Sequence, residues 1–90
     1  MAIVTMRYWA AAKDAAGVAE ETVTADTLAA ALGIVRGRRG PEAASPARLT
    51  TVLARSSFLI DGQPVGTRAA DAVLLGDGAV IEVLPPFAGG

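Results

Sequence analysis

The residues whose types and spacing suggest chemistry stand together at the end of the sequence: Pro85-Pro86-Phe87-Ala88-Gly89-Gly90. The two prolines fix their φ angles and favour an extended exit, while the two glycines present no Cβ to the walls of a narrow passage. The segment is stiff at its base and thin at its tip. Fully extended, it reaches at most roughly 20 Å. That is enough to carry the Gly90 carboxylate into an active site on another protein while the folded body stays outside. An α-carboxylate is ionised at neutral pH and can attack an activated phosphate. The ordinary reading of such an end is a frayed, small-residue-rich terminus. Gly-Gly alone does not decide between the two, but Gly-Gly joined to Pro-Pro-Phe-Ala behind a hydrophobic strand favours a working tail.

The rest of the composition points away from internal catalysis. The 90 residues contain no Cys and no His, which excludes a thiolate or imidazole zinc site, a thiol nucleophile and a Ser-His-Asp triad. No metal site is expected. Without a disulfide framework secretion gains no support, so a cytoplasmic location is the expectation. No leader pattern opens the sequence and no apolar run approaches a membrane span. The net charge of -1 offers no long-range attraction to nucleic acid or to an anionic membrane. A protein partner fits better. The hydrophobic content of 52% overstates the core, because 20 residues are Ala and bury little area each.

The elements that must hold the tail can be read in order. Residues 3–9 alternate as a strand, with Val4, Met6 and Tyr8 on the core face and Thr5, Arg7 and Trp9 on the other. The alanine-rich stretch 10–16 is expected to form one or two helical turns, stopped by Gly17. A second, poorly alternating strand follows over 18–24, pairing antiparallel with the first. Asp26 is expected to cap the main helix, whose stripe is Leu28, Leu32 and Val35. Arg36, Arg38 and Arg39 close that helix before Gly40-Pro41. With no aromatic interleaving, they read as complements to the helix dipole rather than as a nucleic-acid patch. After a loop over 40–45, Ser45-Pro46 opens a short helix burying Leu49, Val52 and Leu53. Residues 56–61 form a third strand, Asp61-Gly62 a turn and 63–65 a brief return strand. The segment through Asp71 is expected to be a turn with Leu74 and Leu75 buried. Gly76-Asp77-Gly78 is a further turn, and 79–84 a last strand with Ile81 and Val83 inward.

This order predicts an α+β protein, a mixed sheet wrapped over one principal helix. If the first and last strands lie parallel side by side, Arg7 and Glu82 can pair on the open face, an interaction of only about 0.2–1 kcal/mol when exposed.

Taken together, the residues resemble the MoaD/ThiS sulfur carriers, small ubiquitin-like β-grasp proteins. The resemblance runs from Tyr8-Trp9-Ala10 through the Ala-rich segment ending at Gly17, the helix after Asp26, and Asp61-Gly62. Its specific part is Asp77-Gly78, a hydrophobic strand, and Leu84-Pro85-Pro86-Phe87-Ala88-Gly89-Gly90. Pro-Pro-x-x-Gly-Gly is most similar to the molybdopterin synthase small subunit, since the thiazole-forming carriers are usually shorter and less consistently carry the proline pair. The resemblance implies a β-grasp domain over 1–84 and a flexible, extended tail over 85–90. It also implies a cycle in which an E1-like enzyme uses ATP to adenylate the Gly90 carboxylate and a sulfur donor then leaves a thiocarboxylate. In that scheme no cofactor binds this chain, and ATP belongs to the activating partner. The acceptor would be the large subunit of molybdopterin synthase, or another acceptor enzyme serving thiamine, cysteine or a thio-containing metabolite. Gly90 is the chemical group; Gly89 and Ala88 permit close approach, Pro85 and Pro86 set the exit direction, and Phe87, Trp9 and Arg7 are the residues offered to a partner, the alternatives being that Phe87 packs back onto its own domain and that Trp9 covers the turn over 10–16. A different class stays open beside these: a protein modifier whose Gly90 forms isopeptide bonds to lysine.

Overall fold

The computed structural model describes residues 2–38 and 46–86. The expected tip Phe87, Ala88, Gly89, Gly90 lies outside them, as do the loop over 40–45 and Arg39.

Strand β1 (Ile3–Tyr8) alternates as its sequence demands, with Val4, Met6 and Tyr8 buried and Ile3 exposed. Helix α1 (Ala10–Ala16) stops at Gly17, whose φ of 81° suits a residue without Cβ and whose N–H donates to the Lys13 carbonyl. Strand β2 (Glu20–Thr24) starts two residues later than expected. Val18 is exposed, and of the strand's side chains only Val23 is fully buried, so nothing apolar holds the chain to the sheet before Glu20. Helix α2 (Leu28–Gly37) buries Leu28, Ala31, Leu32 and Val35 as one stripe.

Its cap differs from the expectation. Thr27 is the N-cap, its Oγ1 accepting from the Ala30 N–H at 3.1 Å. The Asp26 carboxylate turns instead to the N–H of Ala2, 2.9 Å away. Both residue types cap well, and the choice is made by the strand start lying beside Asp26.

Helix α3 (Pro46–Arg55) buries Leu49 and Leu53, with Val52 half-buried, and packs against α1. The expected single main helix therefore shares the sheet's cover with a second of equal length. Strands β3 (Ser57–Ile60) and β4 (Gln63–Pro64) are joined by Asp61 and Gly62 at φ 50° and 81°, the positive values of a two-residue type I′ hairpin. A single 3₁₀ turn (Ala70–Ala72) precedes β5 (Val80–Leu84), which turns Ile81 and Val83 inward. The expectation that both leucines of this stretch are buried is corrected. Leu75 is buried, but Leu74 is 79% exposed in an isolated bridge to Thr27. In extended backbone, neighbours point to opposite sides, and it is Val73 and Leu75 that face inward.

The sheet order is β2-β1-β5-β3-β4. Strands β1 and β5 pair in parallel at its centre; the other neighbours pair antiparallel. One face carries the helices and the apolar core. Met6, Leu28, Leu49 and Ile81 lie almost wholly out of solvent there, each contributing about 1.5–3 kcal/mol relative to exposure. The other face carries Thr5 and Arg7 of β1, Val80, Glu82 and Leu84 of β5, and Leu59 of β3, by register.

Candidate partner-docking site

Everything at the candidate site follows from where β5 ends. It is the central strand, with β1 on one side and β3 on the other, so the chain leaves the sheet from its middle. Leu84 stands opposite Ser57, and the Trp9 N–H donates to the Val83 carbonyl at 3.3 Å. Pro85 is half-buried and Pro86 exposed, so the proline pair marks the passage from sheet to solvent. Among the described residues the ladders of β5 end at Leu84, before either proline, as the missing amide N–H would lead one to expect.

Trp9 flanks this exit. It is the N-cap of α1 in extended backbone and is 46% exposed. Ala10, immediately after it, sits at φ 49°, a left-handed conformation that costs a residue with a Cβ roughly 1–2 kcal/mol. That turn swings the chain from β1 into α1 and leaves the indole at the end of the sheet. Arg7 and Trp9 line one open groove of about 500 Å³ together with Lys13, Asp14 and Glu20. The two partner-facing residues expected in the body of the protein are thus brought together.

The electrostatics of the groove differ from the expectation in one respect. Arg7 stands opposite Glu82 in the parallel register, but its Nε reaches Glu20 Oε2 across the antiparallel ladder, at 3.4 Å. Both side chains are substantially exposed, so the pair contributes at most about 1 kcal/mol. Its effect is to hold the guanidinium over the groove.

Glu21 was missed by the sequence reading. Opposite Met6 in the register, it lies on the helix face of the sheet, where its Oε2 accepts from the Tyr8 hydroxyl at 2.6 Å and its Oε1 from Arg38 at 3.1 Å. The available signal was its place in the alternation, since Glu21 shares a phase with Val23. The network ties β1, β2 and the end of α2 together one residue from Trp9. Arg38 was read only as a dipole complement; it also joins the helix end to β2.

Among the described residues no group of three or more Asp or Glu is placed to hold a metal ion, and no helix is long and apolar enough to cross a membrane.

A mixed five-stranded sheet in the order β2-β1-β5-β3-β4, with a parallel central pair and a helix crossing behind it after β2, is the ubiquitin-like β-grasp fold. Known structures share it along almost the whole chain. Small archaeal modifier protein 1 from Methanosarcina acetivorans superimposes with a TM-score of 0.78 at 22% identity, covering 100% of this chain and 98% of that one. A protein assigned as molybdopterin converting factor subunit 1 from Pyrococcus furiosus gives 0.73 at 19% identity, over 97% and 100% of the two chains. A chain from the complex of subunits 1 and 2 of molybdopterin-converting factor from Helicobacter pylori 26695 gives 0.64 at 20% identity, over 98% and 99%. No family model matches the sequence, and no curated protein matches it. The structural likeness establishes the fold, and it is the fold that the tail resemblance implies.

Proposed function

We propose that this chain is a sulfur carrier whose Gly90 carboxylate is activated by an E1-like adenylating enzyme and converted to a thiocarboxylate. Its acceptor in this reading is the large subunit of a molybdopterin synthase. The observation that carries the reading is the coupling of sequence to exit point. The segment Pro85-Pro86-Phe87-Ala88-Gly89-Gly90 begins where the central strand β5 ends, beside exposed Trp9 and the Arg7 groove. A partner that covers the groove is then in place to receive the tail. The H. pylori structure, in which subunits 1 and 2 of the converting factor are complexed, supports a large-subunit partner of this kind.

The chemistry balances without any catalytic group on this chain. The carboxylate oxygen attacks the α-phosphorus of ATP and pyrophosphate leaves. Hydrosulfide then attacks the acyl carbon of the adenylate, AMP leaves with the bonding electrons, and one proton is released. Adenylation is needed because a carboxylate is a poor electrophile until its oxygen belongs to a good leaving group. The chain is a substrate and carrier, and the activating and accepting enzymes supply the catalysis.

A second reading is favoured by the likeness to small archaeal modifier protein 1. In it the same adenylate is attacked by a lysine amine of another protein, giving an isopeptide and AMP. Incubation with an E1-like enzyme, ATP and sulfide, followed by intact-mass measurement, separates the two. Replacement of one terminal oxygen by sulfur is the expected result, and deletion of Gly90 abolishes it with folding unchanged. Lysine adducts without sulfur replace the carrier with the modifier. Normal sulfur transfer by the chain lacking Gly90 overturns both.

A further inference from the structure

Each free edge of the five-stranded sheet ends against an arginine, and the two edges are closed by different means. At β4, the Val65 N–H donates to the Phe58 carbonyl at 3.0 Å. Alternation along an antiparallel ladder therefore turns the backbone groups of Pro64, opposite Leu59, away from β3. Pro64 has no N–H to offer, and its carbonyl accepts from Arg68 Nη2 at 3.3 Å while Arg68 Nε donates to Val65 at 3.0 Å. This edge is shut by a proline in the chain itself.

At β2 the ladder is bracketed by Tyr8 N–H donating to Ala19 and Ala25 N–H donating to Ala2, both at 2.8 Å. The outward backbone groups are then those of Glu20, Thr22 and Thr24. No proline interrupts them. The middle carbonyl, that of Thr22, is occupied by Arg38, whose Nη1 donates to it at 2.8 Å while also bonding Glu21. Among the described residues, it is the Arg38 side chain that closes this edge.

We propose that Arg38 is a displaceable guard on the β2 edge, and that the strand it holds off is β2 of a second copy of this chain, paired antiparallel about Thr22. The edge is self-complementary in that arrangement. A two-fold axis at Thr22 sets Thr22 opposite Thr22, Glu20 opposite Thr24 and Glu21 opposite Val23, so no carboxylate meets a carboxylate. Threonine pairs are favourable cross-strand neighbours. β1 separates β2 from β5, so the tail exit is not itself part of the paired edge, while Glu20 belongs both to that edge and to the Arg7 groove.

The test is sedimentation velocity across a concentration series on wild type, Arg38→Met, and the double variant Arg38→Met with Thr22→Pro. Methionine keeps most of the aliphatic stem and removes the donors. Proline at 22 removes an outward N–H together with the Thr22 side chain and fixes φ, while the N–H groups of Glu21 and Val23 that face β1 are kept. Wild type is expected to sediment as a monomer, Arg38→Met to self-associate at least tenfold more tightly, and the double variant to return to monomer. An Arg38→Met chain that stays monomeric, a double variant that associates as strongly as the single one, or a wild type already dimeric overturns the proposal. So does thermal unfolding showing that Arg38→Met has lost its fold, because Arg38 is then a support of the structure and not a guard on its edge.

Discussion

Tyr8→Phe removes one oxygen from the edge of the core and tests whether the Glu21 network holds the sheet to its helices. The Tyr8 ring is 2% exposed and its hydroxyl donates to Glu21 Oε2 at 2.6 Å, the length of a charge-assisted O–H···O⁻ bond. Bonds to charged groups contribute about 1.5–3 kcal/mol. The Glu21 side chain is 15% exposed and keeps Arg38 on its other oxygen, so water and the guanidinium recover part of the loss. The lower part of the range applies, about 1.5–2 kcal/mol. In a domain of this size 1 kcal/mol shifts the midpoint by roughly 4–8 °C, giving an expected fall in Tm of roughly 6–16 °C. Urea unfolding followed by circular dichroism measures the change directly, with the m-value unchanged if only the native state is affected. A cycle with Glu21→Gln locates the energy, because two residues sharing one bond give a double variant less destabilised than the sum of the singles. A Tyr8→Phe chain within about 0.5 kcal/mol of wild type refutes the argument that this network holds the sheet to the end of α2.

The adjacent leucines give opposite expectations. Leu75→Ala should cost about 2–3 kcal/mol in the same urea assay, since Leu75 is buried near the rim of the core. Leu74→Ser, at an exposed position, should stay within about 0.5 kcal/mol. Gly17→Ala meets no neighbouring atom within 4 Å but must adopt φ 81°, so it should lower stability by about 1 kcal/mol through conformation alone, with native spectra.

What the sequence made legible was set by short-range physics. The phase of Val4, Met6 and Tyr8, the stop at Gly17, the Asp61-Gly62 hairpin and the stripe of α2 are written within a few residues of one another and came through intact. Where two local options were close, a distant group decided. Asp26 and Thr27 can each cap α2, and the N–H of Ala2, 24 residues away in sequence, drew Asp26 off. The Leu74-Leu75 pair carried no phase of its own; the bridge between Leu74 and Thr27 fixed which leucine turned outward. Glu21 was hidden because an acidic residue on an inner face makes sense only beside its partners, Tyr8 and Arg38, which lie 13 and 17 residues away. The Arg7 and Trp9 groove was anticipated as two residues on the open side, but its other wall, Lys13 and Asp14, depended on the turn at Ala10.

The parallel pairing of β1 with β5 also orders events in time. The strand that fills the middle of the sheet is the last of the five along the chain, and its parallel ladder sets residues as remote in sequence as Thr5 and Val80 side by side. Such pairings form late and slowly, because a long loop must close before they contribute. During synthesis the first strands wait with an open seam between β1 and β3, and only the emergence of β5 seals it. The tail residues follow immediately behind that strand. The segment proposed to react hangs from the strand that completes the body, so an enzyme that must read body and tail together engages only a chain in which β5 has closed the seam.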